Sequence, residues 1–444
     1  MSLSLMGRRV YTFAVEQGTR WPWRPRPRST PSGEPRIGYY LWKFPVLTQT
    51  FVQREIDALR RAGQRVEVFA DVSDQSDLLD AQARPFIEMT HHLLPLDRRR
   101  LRNYICRFFG RRPVTLVNVF LYTVSQRYAA HKDAAEDLRI LRRAVYLAGC
   151  LQDRGVTHVH CPWADRSSFV AMLAAQLANI SYSVQGRASA DLYRNRSRWA
   201  LAEKLAAAKF IVTSSDFNRR FLNSVLPQGH TPIHVVYEGV DVGRFVPSPR
   251  RKRIAGPIRI LSVGRLIEEK GFLHLLKALA LVRDHGHELR CVIVGAPDEE
   301  RTAGYDRQVT ALCEELRLQS CVRFAGALPF DDVVREYACA DIFALPCVVA
   351  RDGSRDVTPN VLIEAMAMKL AVVATKMTAI PEIIEDGVNG ILVPPRNHRA
   401  LADALLELIT NQTLAETLGE NARRTVEERF DIDKNVRSYR RLFG

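Results

Sequence analysis

The chain has 444 residues, of which 47% are hydrophobic, 25% charged and 8% aromatic, a globular composition that excludes collagen-like and low-complexity proteins. No apolar run reaches the roughly 18 residues that a membrane-spanning helix needs, since the best one, 114–124, is interrupted by Asn118. Arg8 and Arg9 precede any long apolar core, which is the wrong order for a secretory signal. We therefore expect a cytoplasmic protein, either soluble or peripheral on a membrane.

The net charge of +15 is unevenly distributed along the chain. Residues 1–250 hold 37 Lys and Arg against 21 Asp and Glu, net +16, whereas residues 251–444 hold 27 against 28, net −1. Nucleic acid or an anionic membrane surface would each explain a basic first half. The eight cysteines form no C-x-x-C pair and no His cluster at zinc spacing, so we expect no metal site and reduced, mostly buried thiols.

Residues 1–35 carry six Arg and two Glu without apolar periodicity and are predicted to form a disordered basic arm. A first α/β domain is predicted over 36–246, where short apolar strands alternate with amphipathic helices. The predicted strands are 37–41, 66–70, 156–160, 182–185, 210–213 and 233–237, and the predicted helices are 51–61, with a Thr50…Gln53 capping box, 167–178 and 216–225.

Residues 247–257 are predicted to be a linker, and a second alternation of the same kind follows over 258–425. Residues 426–444 are predicted to form a C-terminal helix that returns to the N-terminal domain. The strands predicted in the second domain are 258–263, 291–294, 322–324, 342–345, 371–374 and 391–393. Two doubly wound domains in tandem predict a ligand cleft at the carboxyl ends of their strands.

The strongest local signal is the segment 341–367. Thr358 fits an N-cap and Pro359 the first position of a helix that begins just beyond a strand, a geometry that binds phosphate. Glu364 lies inside this otherwise apolar helix, where a carboxylate is costly unless it accepts hydrogen bonds, for example from ribose hydroxyls. The alternative is an ordinary helix cap followed by a surface glutamate.

The segment 263–271, which connects a strand to a helix, is a second signal. Gly264 permits close backbone approach, and Arg265 and Lys270 bring two cations to the same place, as a leaving diphosphate requires. Alone this signal is weak, because Arg and Lys at a helix start are usually solvated. Together with Glu364, these two cations indicate one binding site for a diphosphate and a ribose.

Five segments of the second domain resemble, in order, the nucleotide-sugar domain of the retaining GT-B glycosyltransferases of family 4, the glycosyl transferases group 1. The segment 44–56 is similar to the opening of members that build bacterial exopolysaccharides of the colanic-acid type. The resemblance implies an α/β protein of GT-B fold, two tandem Rossmann-like doubly wound domains facing a central cleft. It also implies a hexosyltransferase-type enzyme that uses a nucleotide diphosphate sugar as co-substrate, with no cofactor and no metal. The five segments are Gly264-Arg265…Lys270-Gly271, Ala340-Asp341…Leu345-Pro346, Pro359…Glu364-Ala365-Met366-Ala367, Ile380-Pro381-Glu382 and Glu385 to Pro394.

By this resemblance, Arg265 and Lys270 are catalytic: they hold the donor diphosphate and neutralise the charge that develops as it leaves, while Glu364 binds the ribose. The resemblance also makes Asp356 catalytic: the family has an acidic residue eight positions before this glutamate that contacts the donor sugar, and here that residue is Asp356 instead of Glu. Thr378 and Ala379 stand where the family has glycines before the loop that contains Glu382. The further donor-binding residues that the resemblance implies are Gly264, Thr358, Pro359, Asn360 and Glu382.

In the first domain, the segments 158–164 and 184–193 resemble two loops of the same family, which makes His160, Arg187 and Asp191 candidate acceptor-side residues. Arg187 stands where the family commonly has His. A guanidinium cannot accept a proton near neutral pH, but it can hold a phosphate or a sugar hydroxyl. For His160 the alternative is a hydrogen-bonded histidine at the end of a strand.

Residues 98–112 alternate arginines with apolar and aromatic residues. Such a stretch is typical of an interfacial helix on anionic lipid, with its aromatics in the headgroup region, and the alternative is a solvated basic helix. The arginines are Arg98, Arg99, Arg100, Arg102, Arg107, Arg111 and Arg112, and the apolar residues are Leu101, Tyr104, Ile105, Phe108 and Phe109.

The sequence therefore predicts a retaining glycosyltransferase that moves a sugar from a nucleotide sugar donor to a glycan or lipid-linked saccharide acceptor in bacterial exopolysaccharide or surface polysaccharide synthesis. We expect it to act at the inner face of the plasma membrane, with the anionic membrane surface as a partner. A non-catalytic sugar-nucleotide-binding homologue would instead explain Asp356 and Arg187. Nucleic acid is not expected as a partner, because no recognition helix, RNA-binding signature or zinc finger accompanies the basic charge.

Overall fold

The structure of the chain is a computed structural model. It describes residues 34–46, 50–73, 84–130, 134–187, 192–193, 200–226, 231–247, 256–298 and 304–444. The described residues form two compact units: those within 34–236 and 436–444 form unit 1, and those within 237–435 form unit 2. The predicted basic arm up to residue 33, residues 248–255 of the predicted linker, and the candidate Asp191 lie outside the described residues.

Unit 1 is built on a parallel sheet with the order β3-β2-β1-β4-β5-β6-β7. The chain adds strands outward from β1 in one direction and from β4 in the other, so these two strands flank the switch point where doubly wound sheets bind ligands. The strands are β1 (Ile37–Lys43), β2 (Val66–Val72), β3 (Thr90–His92), β4 (His158–Cys161), β5 (Ser181–Gly186), β6 (Phe210–Thr213) and β7 (Ile233–Val235).

The helices of unit 1 cover this sheet. Near its centre lies the helix Arg166–Ala178, which is buried almost all round and begins at Asp165, whose side chain accepts a hydrogen bond from Ser167 N. The helix Ala134–Asp153 packs against it. The helices are α1 (Thr50–Arg61), α2 (Arg84–Met89), α3 (Arg98–Arg111), α4 (Pro113–Ala130), α5 (Ala134–Asp153), α6 (Arg166–Ala178), α7 (Leu201–Ala206) and α8 (Asp216–Val225).

The predicted capping box at the start of α1 is not formed. Thr50 is already helical, and Gln53 Nε2 donates to Val46 O at 3.3 Å instead of bonding back to the helix start. The Gln53 side chain thus bonds to the segment before the helix, whereas the capping box would have paired it with the backbone of Thr50.

Unit 2 is built on a second parallel sheet, with the order β10-β9-β8-β11-β12-β13 and its switch point between β8 and β11. Alternate residues of its strands feed two cores: Ile342 and Ala344 face one, and Phe343 and Leu345 face the other. This is why the strands appear in the sequence as continuous apolar runs. They are β8 (Ile258–Val263), β9 (Leu289–Val294), β10 (Val322–Gly326), β11 (Ile342–Leu345), β12 (Ala371–Thr375) and β13 (Ile391–Val393).

The helices of unit 2 lie on both faces of its sheet. They are α9 (Phe272–Asp284), α10 (Tyr305–Glu315), α11 (Phe330–Cys339), α12 (Asn360–Ala367), α13 (Ile380–Ile383), α14 (His398–Thr410) and α15 (Gln412–Arg429), and a final helix, α16 (Ile432–Phe443), follows.

Most of the cysteines are buried, as expected: Cys106 and Cys339 are exposed, Cys321 is half-buried, and the other five are buried.

The boundary between the units differs from the predicted one at residue 246. Phe245 is buried in a core of unit 2, and Val240 N bonds to Phe430 O, so the segment that follows residue 236 belongs to unit 2. The last residues of α16 are part of unit 1, where Phe443 packs against the His160 ring with centroids 5.6 Å apart. Long-range packing decides where the first unit ends, and local apolar patterns contain no such information.

Candidate active site

Two segments meet at the switch point of unit 2. Arg265 and Lys270 follow β8, whereas Asp356 and the start of α12 follow β11, its neighbour in the sheet. Because parallel strands end at the same edge, side chains that are about 90 residues apart in sequence become neighbours. The structure thus brings Lys270 and Asp356, two of the predicted catalytic residues, into direct contact.

Lys270 Nζ donates to Asp356 Oδ2 at 2.6 Å, and the two side chains are 12% and 21% exposed. Burial alone would lower the pKa of the Lys270 ammonium, but the Asp356 carboxylate, and next to it Cys347, outweigh burial and raise this pKa above its ordinary value. Lys270 therefore stays protonated at neutral pH. Its partial exposure leaves the ammonium able to exchange its carboxylate for another anion.

Two glycines allow this pair to form. A Cβ on Gly271, whose φ is +73°, would lie 1.8 Å from Pro346 O, so only glycine lets the β8 loop approach the end of β11 so closely. A Cβ on Gly264 would lie 2.9 Å from Lys270 Cε, so Gly264 leaves room for the lysine stem. Both positions belong to the motif that the sequence singled out.

Arg265 is 38% exposed at its side chain, and its guanidinium donates to the carboxylate of Asp298. Asp298 lies just beyond β9, the strand beside β8, and the sequence analysis did not identify it. The signal that could have found it is a carboxylate after a buried strand that neighbours β8. Asp298 fixes the Arg265 guanidinium by this ion pair, and the Arg265 side chain stays partly exposed.

Glu364 on α12 is only 7% exposed and accepts a hydrogen bond from Tyr337 OH at 3.1 Å. This burial excludes the alternative of a surface glutamate. On the same helix, Asn360 Oδ1 is buried and has no hydrogen-bond partner among the residues that the structure describes. An acceptor oxygen left in this state costs about 1–3 kcal/mol, which a ligand donor would recover.

The start of α12 corrects the predicted cap. The helix begins at Asn360, with Pro359 at the N-cap position and no side-chain cap, so Thr358 is not the N-cap and Pro359 is not the first helical residue. Proline without a donor N–H suits the N-cap position, since no intrahelical bond is lost there. The helix start still follows β11 as predicted.

The loop before Glu382 is held by Thr378, which occupies the left-handed region at φ +50°. Its hydroxyl donates to Asp356 O at 2.8 Å, a bond that stabilises a backbone conformation that glycine would adopt more easily. Thr378 thus ties the loop to Asp356. Glu382 itself accepts from Tyr237 OH at 3.2 Å.

In unit 1, Arg187 is 2% exposed and its guanidinium donates to the carboxylate of Glu55 and to Gln185 Oε1, the latter at 2.5 Å. The expectation that Arg187 is open to a phosphate or a sugar hydroxyl is therefore wrong, because a buried protein carboxylate neutralises its charge. Glu55 lies within the 44–56 motif, but sequence reasoning gave it no role. Only the fold brings the two residues together across 132 positions.

His160 is fully buried, and its Nδ1 lies 2.7 Å from Ser183 Oγ. Burial lowers the pKa of His160 to about 4, so the ring is neutral at pH 7. It packs against the rings of Tyr39 and Tyr439. The geometry is that of a core histidine at the end of a strand.

In the described part of the chain, no three His, Cys, Asp or Glu side chains are grouped as metal ligands would be. No helix among the described residues combines the length and apolar character needed to cross a membrane.

Comparison with known proteins defines the class of this chain. A solved glycosyltransferase from Rickettsia africae ESF-5 superposes with a TM-score of 0.68 at 18% identity, covering 93% of this chain and 98% of that one. Anabaena Alr3699/HepE, solved in complex with UDP and glucose, gives a TM-score of 0.67 at 17% identity, covering 92% and 99%. The chain thus has the GT-B fold of glycosyltransferases, with two Rossmann-like domains.

The sequence comparisons identify the domain that the second half of the chain carries. Residues 248–425 match the model of the family "Glycosyl transferases group 1", so the chain carries a glycosyl transferases group 1 domain. The amylovoran biosynthesis glycosyltransferase AmsK of Erwinia amylovora is 26% identical over 414 residues, which is 89% of this chain and 96% of that protein. WcaL of Escherichia coli (strain K12), named as a colanic acid biosynthesis glycosyltransferase, is 36% identical over 38% of this chain and 39% of its own length.

Proposed function

We propose that the protein is a retaining glycosyltransferase that transfers a sugar from a nucleoside diphosphate sugar to a lipid-linked glycan during exopolysaccharide or surface polysaccharide synthesis. The observation that carries the proposal is the meeting of Lys270, Asp356, Arg265 and α12 at the switch point of unit 2. The names of the amylovoran and colanic acid relatives support the polysaccharide product, and the UDP bound to Anabaena Alr3699/HepE supports a nucleotide donor.

In the proposed reaction, the bond from the anomeric carbon to the diphosphate oxygen breaks and the acceptor hydroxyl oxygen bonds to the same carbon from the same face. The departing diphosphate takes the hydroxyl proton. Arg265 and Lys270 stabilise the negative charge that accumulates on the leaving group, and Lys270 exchanges part of its bond to Asp356 for the phosphate. Asp356 then lies beside the donor sugar.

Glu364 and Asn360 complete the donor site in this proposal. The buried Glu364 carboxylate accepts hydrogen bonds from the ribose hydroxyls, and Asn360 Oδ1 accepts one further donor from the nucleotide. Because two side-chain cations supply the positive charge, we propose that no divalent metal ion or other cofactor takes part. Turnover should then be unchanged by EDTA, and stimulation by added Mg²⁺ or Mn²⁺ would contradict this part.

The test is product mass spectrometry with a panel of UDP-sugars and GDP-sugars and a bacterial lipid extract as acceptor, followed by NMR of the new anomeric centre. Transfer with retained configuration is expected. The alternative, a non-catalytic sugar-nucleotide-binding homologue, predicts nucleotide binding without transfer or donor hydrolysis. Arg187, one of the two departures from the family pattern that favoured this alternative, is buried against Glu55.

Asp356 provides the sharper test within the same assay. Asp356→Asn keeps the shape but removes the charge, and should lower turnover by about 10²-fold while nucleoside diphosphate affinity changes little. Asp356→Glu should also lower turnover, because the longer stem displaces the carboxylate next to the reacting carbon. Wild-type turnover in both variants would remove Asp356 from the donor-sugar site.

We further propose that unit 1 docks on anionic lipid at the inner face of the plasma membrane, but with different side chains from those predicted. Leu101, Tyr104 and Phe108 of α3 are buried in the protein core, so they are not available to lipid. The apolar residues that remain exposed on α3 and α4 form the lipid-docking face. They are Ile105, Phe109, Val114, Val117, Phe120 and Leu121, and exposed arginines of α3, among them Arg98, Arg99, Arg102 and Arg111, provide the complementary charge.

Liposome co-sedimentation tests this docking. Binding to vesicles rich in phosphatidylglycerol should exceed binding to phosphatidylcholine vesicles and fall with salt, and Phe109→Ser should weaken it. Phe109 is 64% exposed, and the matched control is Val246→Ser at a residue of unit 2 that is 66% exposed. Equal binding to both kinds of vesicle, or equal losses in both variants, would contradict the proposal.

A further inference from the structure

A pocket of about 430 Å³ with several charged side chains in its lining opens beside the switch point of unit 1. Its volume is within the roughly 300–1,000 Å³ typical of small-molecule sites. Its floor is the carboxyl end of β1 and β2, and its walls are α5 and the start of α6. None of the candidate residues predicted from sequence lines it. The residues that carry the argument below are Tyr40, Trp42, Asp71, Arg139, Arg143 and Asp165.

Trp42 and Asp71 form one side of the pocket. The parallel register pairs Leu41 with Ala70 and Lys43 with Val72, which places Trp42 directly beside Asp71. Trp42 is 46% exposed although it is a large aromatic residue, and the Arg143 guanidinium stacks on its ring at 4.6 Å from the centroid. An exposed indole that lines a pocket offers a flat apolar surface to the C–H face of a ring.

Asp71 is 1% exposed and has only one of its two oxygens hydrogen-bonded. Its Oδ1 accepts from Tyr40 OH at 2.9 Å. Its Oδ2 has no hydrogen-bond partner among the described residues, and Arg143 Nη1 lies 3.5 Å away, close enough for charge attraction but without a hydrogen bond. A buried carboxylate oxygen in this state is a strong acceptor for a donor that enters the pocket.

The charges around the pocket balance. Arg143 pairs with Asp71, and Arg166 pairs with Glu136 at 2.6 Å. Asp165 is occupied with capping α6, and Arg139, which is exposed, forms no ion pair within the described part of the chain. A neutral ligand with several hydroxyl groups suits such a lining better than a phosphate, since carboxylates and guanidiniums provide acceptors and donors in similar number.

We propose that this pocket binds a neutral pyranose unit of the acceptor glycan, stacked on Trp42 and donating one hydroxyl to Asp71. The inference rests on the proposed function, because it takes the acceptor to be a glycan. It places the acceptor-side contacts at residues that line this pocket, instead of at His160 and Arg187, which do not line it.

The test is saturation-transfer difference NMR of the full chain with methyl glycosides of glucose, galactose, mannose and fucose. At least one glycoside should bind the wild type. Asp71→Asn should weaken that binding about tenfold or more, the loss expected when a charged hydrogen-bond partner is removed. Trp42→Ala should weaken it to a similar extent, because the ring on which the sugar stacks is removed. Arg139→Ala should weaken it less, and because Arg139 is exposed this variant should fold normally. Asp153→Asn, a carboxylate of α5 that pairs with Arg107 and does not line the pocket, should bind like the wild type.

UDP and GDP binding to the same samples is measured by calorimetry. Two outcomes overturn this inference and leave the proposed function standing. One is nucleotide binding without glycoside binding, and the other is equal glycoside binding by the wild type, Trp42→Ala and Asp71→Asn. Glycoside binding that depends on Trp42 in a chain that binds neither nucleotide supports the pocket and counts against the donor site instead.

Discussion

Each sheet has a cation that follows a strand and meets a distant carboxylate, but the two ion pairs differ in burial. Arg187 and Glu55 in unit 1 are 2% and 5% exposed at their side chains, whereas Lys270 and Asp356 in unit 2 are 12% and 21% exposed. In a fully buried pair each charge needs the other, since either charge alone would be strongly destabilised there. A partly exposed pair can release its cation to a ligand. Burial, and not residue type, thus distinguishes the pair that we expect to be structural from the pair that we propose to bind the donor.

The largest expected effect comes from breaking the buried pair. Arg187→Ala leaves the Glu55 carboxylate buried without its cation and should lower the free energy of unfolding by about 3–5 kcal/mol, measured by urea denaturation. The double variant Arg187→Met with Glu55→Gln removes both charges and should recover much of this loss. If Arg187→Ala unfolds like the wild type, the Arg187–Glu55 pair does not stabilise the fold, contrary to this prediction.

The partly exposed pair should respond in the opposite way. Lys270→Ala should reduce sugar transfer by about 10²-fold or more because the charge on the leaving diphosphate is no longer stabilised, while the melting temperature stays near that of the wild type. Lys277→Ala, at an exposed lysine on α9, is the control and should transfer at the wild-type rate. Normal transfer by a well-folded Lys270→Ala protein would exclude Lys270 from the mechanism.

Glu364 separates nucleotide binding from chemistry in unit 2. Glu364→Gln retains an acceptor oxygen but removes the charge, and should weaken nucleoside diphosphate binding about tenfold in calorimetry, since hydrogen bonds to charged groups are the stronger ones. Tyr337→Phe removes the hydroxyl that donates to Glu364 and to Val361 O, and should change this affinity less. Unchanged affinity in Glu364→Gln would contradict the ribose assignment.

The smallest expected effect concerns Asp71 in unit 1. Burial raises its pKa from 3.8 to about 6, against the opposing effects of Arg143 and Tyr40. A carboxyl group with a raised native pKa takes up its proton more readily in the folded state, so the protein gains stability as pH falls through 6. Between pH 7.5 and pH 5 the wild type should gain about 1 kcal/mol relative to Asp71→Asn in denaturant unfolding. Parallel pH curves for the two proteins would show that Asp71 is not buried as a charge.

Much of the fold could be predicted from the sequence, because strands that are buried on both faces appear as short continuous apolar runs. The bounds of Phe210–Thr213, Ile258–Val263, Ile342–Leu345 and Ile391–Val393 agree with the predicted strands residue for residue. The edge strand Thr90–His92 was missed, since a three-residue strand with two histidines has no apolar pattern.

The sequence by itself also placed Lys270, Asp356 and Glu364 after strands or at a helix start, because spacing and turn residues are local properties. Only the tertiary structure decided which partner each charge meets, since the pairs Arg187–Glu55, Arg265–Asp298 and Lys270–Asp356 join segments that are 132, 33 and 86 residues apart. Burial is likewise a property of the packed chain. It kept Phe108 in the core, left Phe109 exposed beside it, and placed Asp71 in the wall of a pocket.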